Sequence, residues 1–172
     1  STVDSEGMSF NKVTVIKGAY TLTLDSDMAV GADLIYRNGT IGFGENSITV
    51  ENDFIVKDGG TFNSSSANIN VKGDIDVESG GAVNLSSGTI TLNGAAAQAV
   101  TISGSAAFST LNIANSSTGG VTFNDGFTAA DLSCTTAGAL LKFMQDKTFT
   151  LSTLTLTGAS GNEIQVRACT DG

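Results

Sequence analysis

An all-β fold, a parallel β-helix (β-solenoid) with coils of about 21 residues, is what this sequence predicts, on three observations. "ITVENDFIVKDGG" at Ile48 to Gly60 returns almost in kind as "INVKGDIDVESGG" at Ile69 to Gly81, and its first beat "ITL" returns at Ile90 to Leu92. Apolar residues alternate with polar ones in short runs, the pattern of a half-buried strand, and helical spacing is absent over most of the chain. Gly, Asn, Asp and Ser punctuate these runs where a chain turns. A repeat of about twenty residues built only of strands and turns is the signature of stacked coils.

Position by position, Ile48 falls over Ile69 and Ile90, Val50 over Val71 and Leu92, Phe54 over Ile75, Val56 over Val77, and Phe62 over Val83. The pairs Gly59-Gly60 and Gly80-Gly81 coincide at the same offset, as do Asn63 with Asn84 and Ser66 with Ser87. No single coil can bury its own apolar face, so equal spacing is how the core is made: like side chains pile into a continuous dry column. Outward positions agree with that register. Glu51 falls over Lys72 and Lys57 over Glu78, and Asn63 over Asn84 predicts an amide ladder.

The earlier segment is aligned by setting Leu22, Leu24, Met28 and Val30 against Ile48, Val50, Phe54 and Val56, with coil length varying through an insertion. Beyond Leu92 the strict period fades while the beats continue: "VTI" at Val100, "LNI" at Leu111, "GGVTF" at Gly119, "LKF" at Leu141, "FTLSTLTL" at Phe149 and "IQV" at Ile164. "AGALLKFM", Ala137 to Met144, reads as a short helix or an irregular coil. Residues 1–172 are expected to form a single solenoid domain of seven or eight coils, a rod about 35 to 40 Å long at about 4.8 Å per coil.

Composition narrows the function. Eight Lys and Arg stand against 17 Asp and Glu, a net charge of −9, with no basic cluster. Phosphate backbones and anionic lipid surfaces are therefore poor partners, and no apolar stretch approaches the length of a spanning helix. Histidine is absent, which excludes His-dependent nucleophile arrangements and His-ligated metals. No enzymatic activity is expected.

Cys134 and Cys169 have no CxxC spacing, leaving a disulfide or two buried free thiols. A disulfide closing that loop would stabilise the fold by about 4 kcal/mol and imply an oxidising compartment.

The acidic residues Asp27, Asp53 and Asp74 each precede the second apolar beat of a coil as aligned above, with Asp25 and Asp76 nearby. Stacked about 5 Å apart, such carboxylates would form a calcium candidate, since hard cations take oxygen ligands. The plainer reading is a charged turn that keeps the rod soluble, and no other cofactor is expected. Asp76, between inward Ile75 and Val77, points outward, where a carbohydrate would meet it. Tyr20 and Tyr36 are the candidate stacking platforms for a sugar, while Phe54 and Phe62 fall in the inward register.

With its "GDIDVESGGAVNLSSGTITLNG" (Gly73 to Gly94) and "FSTLNIANSSTGGVTFN" (Phe108 to Asn124), the sequence resembles the right-handed parallel β-helix repeats of secreted bacterial surface proteins of the filamentous haemagglutinin and autotransporter type. The likeness covers most of the chain and is one of texture: Gly, Ser, Thr and Asn between short aliphatic beats. It implies an extracellular or cell-surface location and an adhesive or scaffolding role. The partners it implies are neighbouring repeats, further copies, or a surface glycan. It also leaves open carboxylate chemistry on polysaccharides from an outer sheet.

Neither end carries an evident cap, and "SFNKVTVIKG", Ser9 to Gly18, reads as a free strand. An excerpt of a longer array and a subunit that polymerises through its edges both fit that pattern.

Overall fold

The strands are too short and too polar on one side to be stable alone, and the chain satisfies them by winding. The structure is a computed structural model describing residues 1–169, a β-solenoid of about 8 turns with no helix among the described residues. The chain enters through β1 (Thr2–Val3) and β2 (Ser9–Phe10) and continues through β3 (Val13–Leu24), β4 (Met28–Val30), β5 (Leu34–Gly42) and β6 (Ile48–Val50). The central coils are β7 (Phe54–Val56), β8 (Thr61–Ser64) and β9 (Ala67–Val71), then β10 (Ile75–Val77), β11 (Ala82–Leu85) and β12 (Gly88–Leu92). The last are β13 (Gln98–Ile102) with β14 (Ser105–Ile113), β15 (Val121–Phe123) with β16 (Phe127–Cys134), β17 (Leu140–Met144) with β18 (Phe149–Leu156), and β19 (Gln165–Cys169).

Every named ladder is parallel, and each coil gives one strand to each of three faces. The first face runs β3-β5-β7-β10-β13-β15-β17-β19, and the third runs β2-β4-β6-β9-β12-β14-β16-β18. Between them lies a second face in which β8 pairs with β11 and β11 with the first half of β14. The long strands β14, β16 and β18 turn the corner from the second face to the third without breaking.

The interior is built of columns. Met28, Ile48, Ile69, Ile90, Leu111, Leu132 and Leu154 stack in one register on the third face. On the first face the equivalent column is Leu34, Phe54, Ile75, Val100, Phe123 and Phe143. Ile48, Ile69, Ile90, Leu111 and Leu132 are wholly buried. Aromatic rings thicken the core in two groups: Tyr36, Phe43 and Phe54 around Phe62, and Phe108, Phe123 and Phe149 around Phe127, with Phe143 packed on Phe123 and Phe149. At the turns after β7 and β10, Gly59 and Gly80 adopt φ of 71° and 81°, a left-handed conformation that explains why the glycine pair recurs.

Three expectations change. Met28 stacks on Ile48 and Leu34 on Phe54, so the coil between them is 20 residues long, and Met28 does not belong over Phe54. Ala137 to Met144 is neither a helix nor an irregular coil. Its second part is β17, whose Leu141 and Phe143 continue the first-face columns. The period does not fade after Leu92 on the third face, where Ile90, Leu111 and Leu132 keep a 21-residue step. The turn into β13 is four residues longer than the one into β10. The next two connections are two residues shorter each, so the coil length is restored.

The longer turn is held by a buried polar knot. Gln98 Nε2 donates to the carbonyls of Val71 (3.0 Å) and Gly73, and its Oε1 accepts from Gly94 N–H at 2.8 Å and from Asn115 Nδ2 at 2.9 Å. Asn115 also donates to the Ala96 carbonyl at 2.7 Å. Gln98 and Asn115 are 2% and 0% exposed, so these bonds replace water that cannot reach them.

Candidate functional site

Among the described residues the acids are the most concentrated chemistry, and the corner where the third face passes into the first sets three of them in a row. Because Leu34, Phe54 and Ile75 stack, the residues before them stack too: Asp33, Asp53 and Asp74. Asp53 Oδ1 accepts the backbone N–H of Asp74 at 2.8 Å, and Asp74 Oδ1 accepts that of Ala99 at 2.7 Å. Asp33 accepts Asn52 Nδ2 at 2.7 Å and pairs with Lys12 at 2.8 Å. The hydrogen bond from Lys12, then that from Asn52, holds its carboxyl below the usual range.

The expected row of Asp27, Asp53 and Asp74 is therefore corrected: Asp27 is not in it. It precedes β4 on the third face, one element away, and accepts the N–H and Oγ of Ser47 at 2.7 and 3.0 Å. Asp33, which the sequence alignment passed over, takes its place. Among the described residues, no group of three or more Cys, Asp or Glu side chains is arranged to hold a metal ion. The calcium trio does not assemble. What these carboxylates do is cap: at a corner the ladder is interrupted, and an N–H without a carbonyl partner takes a charged acceptor from the adjoining coil.

Asp76 differs. It faces outward on β10 between Ile55 and Thr101, in a shallow depression bordered by Asp53 and Asp74. Partial burial raises its pKa most, Glu78 raises it further, Lys57 opposes them, and Asp53 and Asp74 add smaller repulsions. The carboxyl is thus held above its ordinary range, but the two neighbouring acids have each committed an oxygen to the backbone. Around it lie the expected cross-coil ion pairs, Lys57 with Glu78 and Lys72 with Glu51 at 2.7 Å. Lys57, then the Asp58 N–H, draws the Glu78 carboxyl down.

A second surface was visible in the sequence only as the repeated Asn63 and Ser66. It is a groove along the second face, bordered by Thr40, Asn63, Ser64, Ser66, Asn84 and Ser86. Asn84 Nδ2 donates to Asn63 Oδ1 at 3.2 Å, the expected amide ladder. Of the two tyrosines, Tyr36 is fully buried with its hydroxyl donating to the Gly39 and Thr61 carbonyls, so it is no sugar platform; Tyr20 is 74% exposed.

Cys134 and Cys169 are free thiols, so the disulfide expectation is corrected. Cys134 ends β16 on the third face and Cys169 ends β19 on the first, two coils further on. That separation is about 10 Å along the axis, beyond the reach of a disulfide. Cys134 fills the interior column between Ile113 and Leu156, and burial raises its thiol pKa.

No helix among the described residues is long and apolar enough to cross a membrane. Comparison with protein-family models, curated proteins and solved structures finds no match.

Proposed function

We propose that the chain is a non-enzymatic structural or adhesive module of a microbial surface protein, working outside the cell. One observation carries this reading: Asp27, Asp53 and Asp74 each commit a carboxylate oxygen to a backbone N–H of the adjoining coil, so they serve the rod and do not converge on a substrate. An outer surface of Thr, Ser and Asn, with four ion pairs that link successive coils among the described residues, suits a solvated spacer whose groove on the second face remains available to a surface glycan. The resemblance in texture to secreted β-helix repeats supports the same location.

The test is turnover. The purified chain, incubated with a panel of acidic and neutral polysaccharides, is expected to release no new reducing ends or unsaturated products. Release that disappears in Asp74→Ala would replace this reading with a carbohydrate-active one. For location, protease treatment of intact producing cells should remove the chain, and full protection would place it inside.

A further inference from the structure

In the middle of the rod the second face opens. Among the described residues β8 pairs with β11 alone, and no ladder joins it to β5, the second-face strand of the coil before. The Tyr36 hydroxyl bridges that gap from inside, meeting the Gly39 carbonyl on one side and the Thr61 carbonyl on the other. Outside it lies the groove already described, about 580 Å³, which runs across β5, β8, β11 and the start of β14. Coils continue on both sides of it, so the opening belongs to the wall of the rod and to neither end.

The outward column at this place begins with Gly42 and continues through Asn63, Asn84 and Ala107. Gly42 takes its position by the same 21-residue step that sets Asn63 against Asn84. Asn84 Nδ2 donates to Asn63 Oδ1 at 3.2 Å, which makes an amide ladder of a single link. Its two outer ends are unused: among the described residues neither Asn63 Nδ2 nor Asn84 Oδ1 has a partner, although an amide can donate twice and accept twice. The next link would fall over Gly42 in one direction and over Ala107 in the other, where no polar side chain continues the column.

Both asparagines are exposed, and Ile41, Leu85 and Ala107 contribute apolar surface to the groove beside them. Apolar lining with a few placed donors and acceptors suits a sugar ring, whose C–H face needs the first and whose hydroxyls need the second. Charge narrows the ligand further. No residue lining the groove is charged, and the chain as a whole carries −9, so an anionic ligand gains nothing here and is repelled on approach.

We propose that this groove binds an unbranched, uncharged oligosaccharide lying along the rod axis, whose hydroxyls extend the Asn63–Asn84 ladder at both ends. One hydroxyl accepts from Asn63 Nδ2 above Gly42, and another donates to Asn84 Oδ1 above Ala107. Those two places are three coil rises apart, about 14 Å; an extended β-linked pyranose chain advances by close to one rise per unit, so the site holds about three or four units. This inference rests on the reading of the chain as a surface module and names the class of glycan that its groove takes.

The test is a titration of the purified chain with cello-, manno- and N-acetylated chito-oligosaccharides, from disaccharide to hexasaccharide, read by calorimetry and by side-chain amide resonances. Affinity for at least one series should rise about tenfold from the disaccharide to the tetrasaccharide and then level off, with the Asn63 and Asn84 amide signals moving as the site fills. A β-linked mannuronate tetrasaccharide should bind about tenfold more weakly than mannotetraose. Asn63→Ala, at an exposed position, should weaken binding about tenfold. Gly42→Asn is the sharper variant. Its Cβ would meet nothing nearer than 3.4 Å, and its amide would continue the ladder, so it should melt no lower than the parent while binding about tenfold more weakly, because it occupies the ligand's place.

No binding in any series, affinity unmoved by Asn63→Ala and Gly42→Asn, or equal affinity for a Gly-Ser peptide of the same extended length overturns the proposal and leaves the scaffold role standing. Polysaccharide turnover would instead sink the non-enzymatic reading and leave Asn63-dependent binding in place, so the two failures are distinguishable.

Discussion

Ile69→Ala is the sharpest perturbation of the stacked core. Ile69 lies between Ile48 and Ile90, and all three are 0% exposed. Losing three buried carbons removes about 2.4 kcal/mol of transfer free energy at about 0.8 kcal/mol each. A cavity term adds to this, because neighbours pinned by their own ladders above and below cannot collapse into the space. The expected loss is about 4 kcal/mol, near the upper part of the range for such truncations. Leu154→Ala makes the internal control: the same column, but 51% exposed with no described coil beyond it, so the loss should be about 1 kcal/mol. Urea unfolding followed by far-ultraviolet circular dichroism reads both, and the slope with denaturant should stay constant. Equal losses at the two positions, or an Ile69→Ala cost below about 1 kcal/mol, would refute the argument that burial in this rod comes from stacking.

Three further outcomes are expected. Gln98→Leu strips partners from the Gly94 N–H and the Val71 carbonyl in a buried site and should cost about 3 kcal/mol, with faster amide exchange at Gly94 than in the parent. Gly73→Ala would place a Cβ 2.4 Å from the Asn52 carbonyl carbon and should lose about 2 kcal/mol or more in urea unfolding; Gly31→Ala, with nothing nearer than 3.5 Å, should stay within about 0.5 kcal/mol. Asp76→Asn should stabilise the protein at pH 7. A folded-state pKa raised above 3.8 means that the native state favours the protonated acid, so this group's contribution is fully present below 3.8 and is lost as pH rises through the raised value. Melting temperatures of the variant and parent should converge near pH 3 and separate above that window.

The sequence carried the architecture because a solenoid writes its core as a period. Ile48, Ile69 and Ile90 stack as their spacing requires, and Glu51 meets Lys72 while Asn63 meets Asn84. The identity of a face was not legible. An apolar-x-apolar beat looks the same on all three faces, so Met28-x-Val30 matches Phe54-x-Val56 as well as it matches its true neighbour Ile48-x-Val50. That ambiguity misplaced Asp27 and hid Asp33. The later coils were obscured differently: four residues gained before β13 and two lost at each of the next connections erase the periodicity on one face while preserving it on another. Gln98 gave no signal in "GAAAQAV", since a buried amide shows its role only through carbonyls contributed by an earlier coil.

The use made of the acids bears on function more directly than their number. A corner in a solenoid leaves an N–H facing a gap in the ladder, and an aspartate of the preceding coil closes that gap with a charge-assisted bond in the central coils. Asp53 and Asp74 do so in successive coils, and Asp27 does it at a different corner for Ser47. An acid fixed in this way has its geometry set by the coil beyond it, so it cannot reorient toward a bound substrate without opening a turn. Asp76 escapes the constraint because it sits mid-strand, where the ladder is intact and its side chain caps nothing. Repetition thus assigns the stacked aspartates to the rod, and it leaves recognition to outward positions whose side chains bridge no ladder, such as Asp76.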